Sequence, residues 1–151
     1  MATDADRQEA RSPDAFRECI RVRYRDTDAQ GHLYFASYLV YADEVATSYA
    51  QALGFTWSEP AATPCLVFTA NITCDYLGEC RYGDTVQVAL GYGRIGNSSA
   101  RLDFELRKAD DDAVLARGAI TQVFASHDTR RPVPIPAALR DAILARQPEL
   151  A

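Results

Sequence analysis

The residues best suited to chemistry stand together between a strand-like and a helix-like run: Arg25-Asp26-Thr27-Asp28-Ala29-Gln30-Gly31-His32-Leu33-Tyr34-Phe35. Asp28 falls at or beyond the strand's end, and Gly31 permits the tight turn that leads into a helix. The first backbone N–H groups of that helix, around Tyr34 and Phe35, lack intrahelical partners and carry the positive end of its dipole. Such donors stabilise an oxyanion. A carboxylate facing them, ionised at neutral pH, attacks a carbonyl carbon or activates a water to do so. D-x-D ahead of a helix is equally a turn and capping pattern with no chemistry attached, so spacing alone leaves both readings open.

The elements that must position this segment are legible from periodicity. Residues 19–25 alternate apolar and basic side chains, predicting a strand with Ile20, Val22 and Tyr24 on one face. Over residues 35–53, Phe35, Leu39, Ala42, Ala46, Tyr49 and Leu53 recur at steps of three and four, the buried stripe of a helix about 27 Å long. Ser37 or the preceding turn starts it, and Gly54 stops it in a left-handed conformation. Residues 56–64 hold two prolines and read as a loop. Strand-like runs follow at 66–77, 85–94, 98–108 and 114–126, the third alternating Ala100, Leu102, Phe104 and Leu106 with Arg101, Asp103, Glu105 and Arg107. Gly83-Asp84, Gly96-Asn97 and Asp110-Asp111-Asp112 punctuate them, and such short connections predict that consecutive strands are mostly antiparallel neighbours. After RRPVPIP, residues 136–146 form a short last helix opened by proline. Residues 1–17 read as a loose tail and 18–151 as one domain. The fold class is α+β, a five-stranded antiparallel sheet wrapped around one long central helix.

Composition narrows the classes. The chain has 151 residues, 48% hydrophobic and 25% charged, which suits one globular domain and excludes a collagen-like or wholly disordered protein. A net charge of −5 argues against nucleic acid and anionic membranes as partners. No apolar run approaches the roughly 20 residues that span a bilayer, and the polar, acidic N-terminus is no secretory signal, so a cytoplasmic location is expected. Cys19, Cys65, Cys74 and Cys80 show no C-x2-C spacing, and His32 and His127 lie far apart. Neither a structural metal site nor a disulfide framework is expected, and the cysteines read as buried or half-buried free thiols.

The string YRDTDAQGHLYFASYLVYADEV resembles the signature of the 4-hydroxybenzoyl-CoA thioesterase family, acyl-CoA hydrolases of hotdog fold. The likeness covers about residues 20–136 and includes the order of elements and the closing RRPVPIP. It implies hydrolysis of an acyl thioester to free acid and thiol, with Asp28 as nucleophile or general base, the Phe35 N–H as oxyanion donor, and Gly31 as the turn. Tyr24 matches a strand tyrosine of one branch of the family. That branch carries a histidine where this chain has Phe35, so a histidine-assisted mechanism is not expected at that position. Other hotdog enzymes take their acid from the central helix, where Asp43 and Glu44 stand here.

No cofactor or metal is implied. The resemblance points to a homodimer, often paired again into a tetramer, with sheets joined edge to edge and active sites at the subunit boundary. The substrate is an acyl-CoA or an acyl-carrier protein. Candidate substrate contacts are His32, Tyr34, Tyr38, Tyr41, Trp57 and Phe68 around the acyl group, with Arg94, Asn97, Ser98 and Ser99 at the 93–99 turn for the carrier. A non-catalytic acyl-CoA or carrier-protein binding module is the alternative from another class, and a hotdog dehydratase a second enzymatic one.

Overall fold

A computed structural model describes residues 13–151 except 57 and 58. The expectations for residues 1–12 and for Trp57 lie outside the described residues.

Five strands and two main helices follow one another as β1 (Phe16–Arg21), α1 (Phe35–Ala52), β2 (Leu66–Tyr76), β3 (Thr85–Ile95), β4 (Ser99–Lys108), β5 (Val114–Ala125) and α2 (Ala137–Arg146). All strand pairs are antiparallel, and the sheet order is β1-β3-β4-β5-β2. The last four strands begin and end within about one residue of the positions that alternation predicts, because turn residues delimit each run.

Three expectations need correction. β1 starts at Phe16, inside the predicted tail, and its ladder to β3 ends at Arg21. Beyond it, Val22 N–H donates to Asp84 O and Gly83 N–H to Val22 O; the chain then bends into a 3-10 turn at Tyr24–Asp26. Tyr24 therefore leaves the strand face and stands 80% exposed, while Ile20 and Val22 are buried. Second, β3–β4 and β4–β5 are antiparallel neighbours as expected, but β2 is not beside β3. Both sides of β3 are taken by β1 and β4, so β2 pairs with the free side of β5, from Leu66↔Ala125 to Tyr76↔Ala116. Residues 77–84 must then cross one whole end of the sheet.

Third, the buried stripe of α1 is Tyr38, Tyr41, Ala42, Val45, Ala46, Tyr49 and Ala50, with Phe35 60% exposed and Leu39 and Leu53 only half-buried. The helix carries apolar residues on adjoining stripes, and the tyrosines win because their hydroxyls find partners while their rings fill the core. Its N-cap is Tyr34, and Gly54 ends it at φ 91° as expected.

The two ends of the sheet are distinct places. Arg21↔Thr85 marks one, where α1 also begins, since the Tyr76 hydroxyl donates to Phe35 O at 2.7 Å. The β3–β4 turn marks the other, about 30 Å away along the ten residue steps of β3. There Tyr49, near the end of α1, stacks on Phe16 (5.3 Å, 17°) and tilts against Tyr92 (5.9 Å). Between the ends, the inner face of β4 reads as predicted, with Ala100, Leu102, Phe104 and Leu106 all buried. On its outer face Glu105 is buried too, 2.5 Å from both the Arg107 and Arg117 guanidinia.

Candidate active site

The segment between β1 and α1 folds as a small antiparallel loop. Asp28 N–H donates to His32 O (2.9 Å), Gly31 N–H to Asp28 O (3.0 Å) and Tyr34 N–H to Asp26 O (2.9 Å). Gly31 sits at φ 79°, a conformation that a residue with a Cβ adopts only at a cost of roughly 1–2 kcal/mol. One Asp28 oxygen, Oδ1, accepts N–H bonds from Gln30 at 2.9 Å and His32 at 3.4 Å. These bonds fix the carboxylate, which is half-buried and lines an open cleft of about 620 Å³ with Tyr24, Arg25, Thr27, Ala29, Gly31 and Tyr82.

Asp26, the other acid of the motif, is the anchor of this loop. Its Oδ2 accepts the Tyr41 hydroxyl at 2.6 Å and the Arg23 N–H at 3.3 Å, and its carbonyl accepts Ser37 Oγ at 3.1 Å. Burial, and then the bond to Asp26, hold the Tyr41 hydroxyl above the ordinary tyrosine range. It is therefore a donor at every physiological pH. Sequence reasoning gave Asp26 no role and placed Tyr41 only among the acyl-pocket aromatics. The available signal was a buried-face tyrosine less than two turns into the helix, within reach of the loop that leads into it.

The helix start differs from expectation in one respect. The Tyr34 N–H is already engaged by Asp26 O, whereas no acceptor among the described residues takes the Phe35 N–H. The Tyr34 and Phe35 rings tilt against each other at 4.6 Å. Tyr38, buried, meets Tyr76 edge to face at 5.2 Å, and its hydroxyl donates to Gly78 O at 3.3 Å. Burial pushes the Tyr76 hydroxyl up to about 12. The His32 ring turns to the crossing segment, Nε2 lying 3.2 Å from Glu79 Oε2, and Leu33 N–H donates to Cys80 O. Cys80, its thiol raised to about 11 by burial, is no nucleophile at neutral pH.

Other candidates lie elsewhere. Arg94, Asn97, Ser98 and Ser99 surround the β3–β4 turn, at the far end of the sheet from Asp28 of the same chain. Phe68, 45% exposed, is at that end as well, through Phe68↔Val123 and Ser99↔Val123. Asp43 rims a separate groove of about 160 Å³ between α1 and the sheet, walled by Ala46, Val67 and Phe124 and floored by Tyr92 and Gln122. Glu44 is exposed. Cys65 and Cys80 are buried and Cys74 half-buried, but Cys19 is exposed on edge strand β1. Among the described residues no cluster of three or more His, Cys, Asp or Glu side chains could hold a metal ion. Among them, too, no helix is long and apolar enough to cross a membrane.

Comparison with known proteins agrees with this architecture. An acyl-CoA thioesterase of Haemophilus influenzae, YbgC, is 26% identical over 124 residues, 82% of this chain and 90% of that one. The structure of Slr0204, a 1,4-dihydroxy-2-naphthoyl-CoA thioesterase from Synechocystis, superposes with TM-score 0.80 at 22% identity, covering 85% of this chain and 94% of that one. A thioesterase from Thermus thermophilus, complexed with coenzyme A and zinc, does so with TM-score 0.77 at 28% identity, covering 89% and 96%. The five-stranded sheet and long helix are thus a hotdog fold. The family model of the thioesterase-like superfamily matches residues 22–143, from the last buried residue after β1 into α2. With the match spanning the strand-to-helix loop and the sheet from β2 to β5, the chain belongs to the thioesterase-like superfamily.

Proposed function

We propose that the protein hydrolyses an acyl-CoA thioester to a free acid and a thiol, with Asp28 as the reacting carboxylate. The observation that supports this most is the placement of Asp28. Its Oδ1 is fixed by two backbone N–H groups, it lines an open cleft, and its loop leads directly to a helix whose Phe35 N–H has no acceptor among the described residues. In the base route, Asp28 takes a proton from water as the oxygen bonds to the carbonyl carbon. The charge that develops on the carbonyl oxygen falls to the Phe35 N–H, then the C–S bond breaks and the thiolate leaves. In the nucleophile route, Asp28 itself bonds to that carbon, releasing the thiolate and leaving a mixed anhydride that water opens. Single turnover in labelled water separates the two, since label enters the aspartate only by the second.

Tyr24 shares the Asp28 cleft, and the Tyr34–Phe35 and Tyr38–Tyr76 ring pairs at the start of α1 offer aromatic surface suited to an acyl group with a planar ring. His32 acts through its backbone N–H on Asp28 and its ring on Glu79 rather than by touching the acyl group. A homodimer, paired further into a tetramer, fits the fold. Among the described residues β2 is an eleven-residue edge strand bonded on one side only, with Phe68, Tyr76 and Leu77 exposed along or just beyond it and Phe35 and Val40 exposed on α1. Any contact of Arg94, Asn97, Ser98 or Ser99 with a substrate held at Asp28 would come from the second chain.

Thiol release measured across short, long, branched and aryl acyl-CoAs tests the activity. Turnover of one class, aryl above all, is expected. Binding of acyl-CoA, seen as a thermal shift, with no thiol released from any of them would replace the hydrolase with a binding module.

A further inference from the structure

Arg21, Arg23, Arg25 and Arg81 gather at the Asp28 end of the sheet, all exposed, in a chain whose net charge is −5. The acids nearby form no close ion pair with them. Asp26 is taken by the Tyr41 hydroxyl and the Arg23 N–H, Asp84 by the Arg81 N–H and by Lys108 at 3.7 Å, and Glu79 by His32. The Asp28 carboxylate accepts backbone N–H groups. Among the described residues, Arg21, Arg23 and Arg81 make no ion pair with a carboxylate. Arg25 approaches Asp26 only at 4.0 Å with 76% of its side chain exposed.

Two exposed aromatic rings complete the patch. Tyr24 meets Tyr82 edge to face at 6.4 Å, and the Arg21 guanidinium lies 5.6 Å from the centre of the Tyr82 ring. Tyr24, Arg25 and Tyr82 line the same cleft as Asp28, and Arg21 packs against Tyr82. Stability does not account for this arrangement. Clustered guanidinia repel one another, and rings left in water contribute little burial.

The geometry points to a phosphate-binding rim: Arg21 and Arg25, with Tyr24 and Tyr82 and with Arg23 and Arg81 adjoining them, hold the phosphate end of the carrier whose thioester reaches Asp28. Guanidinium forks match phosphate oxygens two at a time, and the tyrosines offer faces and hydroxyls to the flexible arm between phosphate and sulfur. This inference rests on the thioesterase reading and gives its substrate a direction, with the acyl group inward and the phosphate at the lip. It also moves phosphate recognition within one chain from the β3–β4 turn, where Arg94 stands, to the opposite end of the sheet. Coenzyme A and a protein-borne phosphopantetheine share this chemistry.

The test titrates free coenzyme A and pantetheine, which has the same thiol arm without phosphate, into the full chain by calorimetry. The expected preference for coenzyme A is about tenfold or more, weakening as salt is added, and it collapses in the Arg21→Gln/Arg25→Gln double variant. The Arg21→Lys/Arg25→Lys variant retains part of it, which separates lost charge from lost folding. No preference in the natural chain, a preference that survives the double glutamine variant, or one that Arg94→Gln removes instead would overturn the rim. Comparing kcat/KM of the glutamine variant on acyl-CoA and on an acylated carrier protein identifies the source by which substrate suffers. If the natural chain hydrolyses neither thioester but loses its coenzyme A preference in the variant, the rim stands and the thioesterase reading falls. If hydrolysis persists with the preference unmoved, the rim alone falls.

Discussion

The two ends of the sheet are finished in opposite ways. At the β3–β4 end the buried polar groups are paired through side chains. β1 stops pairing with β3 at Leu90, and there the Gln147 side-chain amide takes the place of a strand, accepting the Tyr92 N–H at 2.8 Å and donating to Tyr92 O at 2.9 Å. The Tyr49 hydroxyl adds a bond to the same amide, and Arg140 donates to the carbonyls of Gly96 and Asn97. At the Asp28 end the chain instead leaves rings and guanidinia in water around a fixed carboxylate. One end is built for stability, and the other departs from what stability alone would select.

Perturbations at the two ends should therefore separate stability from activity. Gln147→Ala strands two backbone groups and a hydroxyl in the core, and is expected to lower stability by about 3 kcal/mol without changing kcat. Chemical denaturation alongside thiol release checks both; a loss of kcat with unchanged stability would blur the contrast. Tyr41→Phe removes the 2.6 Å bond to Asp26 and costs about 2 kcal/mol, but it also loosens the Asp28 loop, so kcat should fall about tenfold with KM little changed. A folded Tyr41→Phe protein with full kcat would remove Asp26 from the positioning of the site.

Between the two ends, Glu105→Gln breaks the outer-face pair with Arg107 and Arg117 and is expected to cost between about 1 and 2 kcal/mol, because both arginines keep some contact with water. Burial acts to raise the Glu105 carboxyl, but hydrogen bonds from Arg117 and then Arg107 outweigh it and hold it below the usual 4.5. A carboxyl lowered by folding stabilises the native state fully above that value and ceases to do so as pH drops through the folded pKa. The smallest expected effect is thus an extra loss of Tm in the natural chain below about pH 4.5 that the Glu105→Gln variant lacks. Parallel Tm–pH curves for the two would dismiss the linkage.

Much of this frame was legible beforehand, and the misses have identifiable causes. β4 was readable because its apolar and charged residues alternate without interruption, yet Glu105 broke the rule. Its neutralising partners, Arg107 and Arg117, come from its own strand and the next, and period-two reading treats every charged residue as solvated. Tyr24 continued the alternation of β1 in sequence, but bonds between Val22 and the distant Gly83 and Asp84 ended the strand before it. The burial of Tyr38 and Tyr41 instead of Phe35 and Leu39 turned on hydroxyl partners at Gly78 and Asp26, which no helical wheel displays. In the site, Asp28 and Gly31 were visible as residue types at a spacing. The crossing segment that supplies Glu79 and Tyr82 was not, because it depends on β2 choosing the far edge of the sheet.

The proposed mechanism assigns hydrolysis to the Asp28 carboxylate itself, not merely to the turn it caps. Asp28→Asn isolates this, since the amide keeps an Oδ1 acceptor for the Gln30 and His32 N–H groups and so preserves the loop. With the acyl-CoA that the natural chain turns over best, thiol release by this variant should fall by about 10²–10⁴ while its Tm stays within about 2 °C. Near-normal hydrolysis by the folded variant would exclude Asp28 as the reacting group.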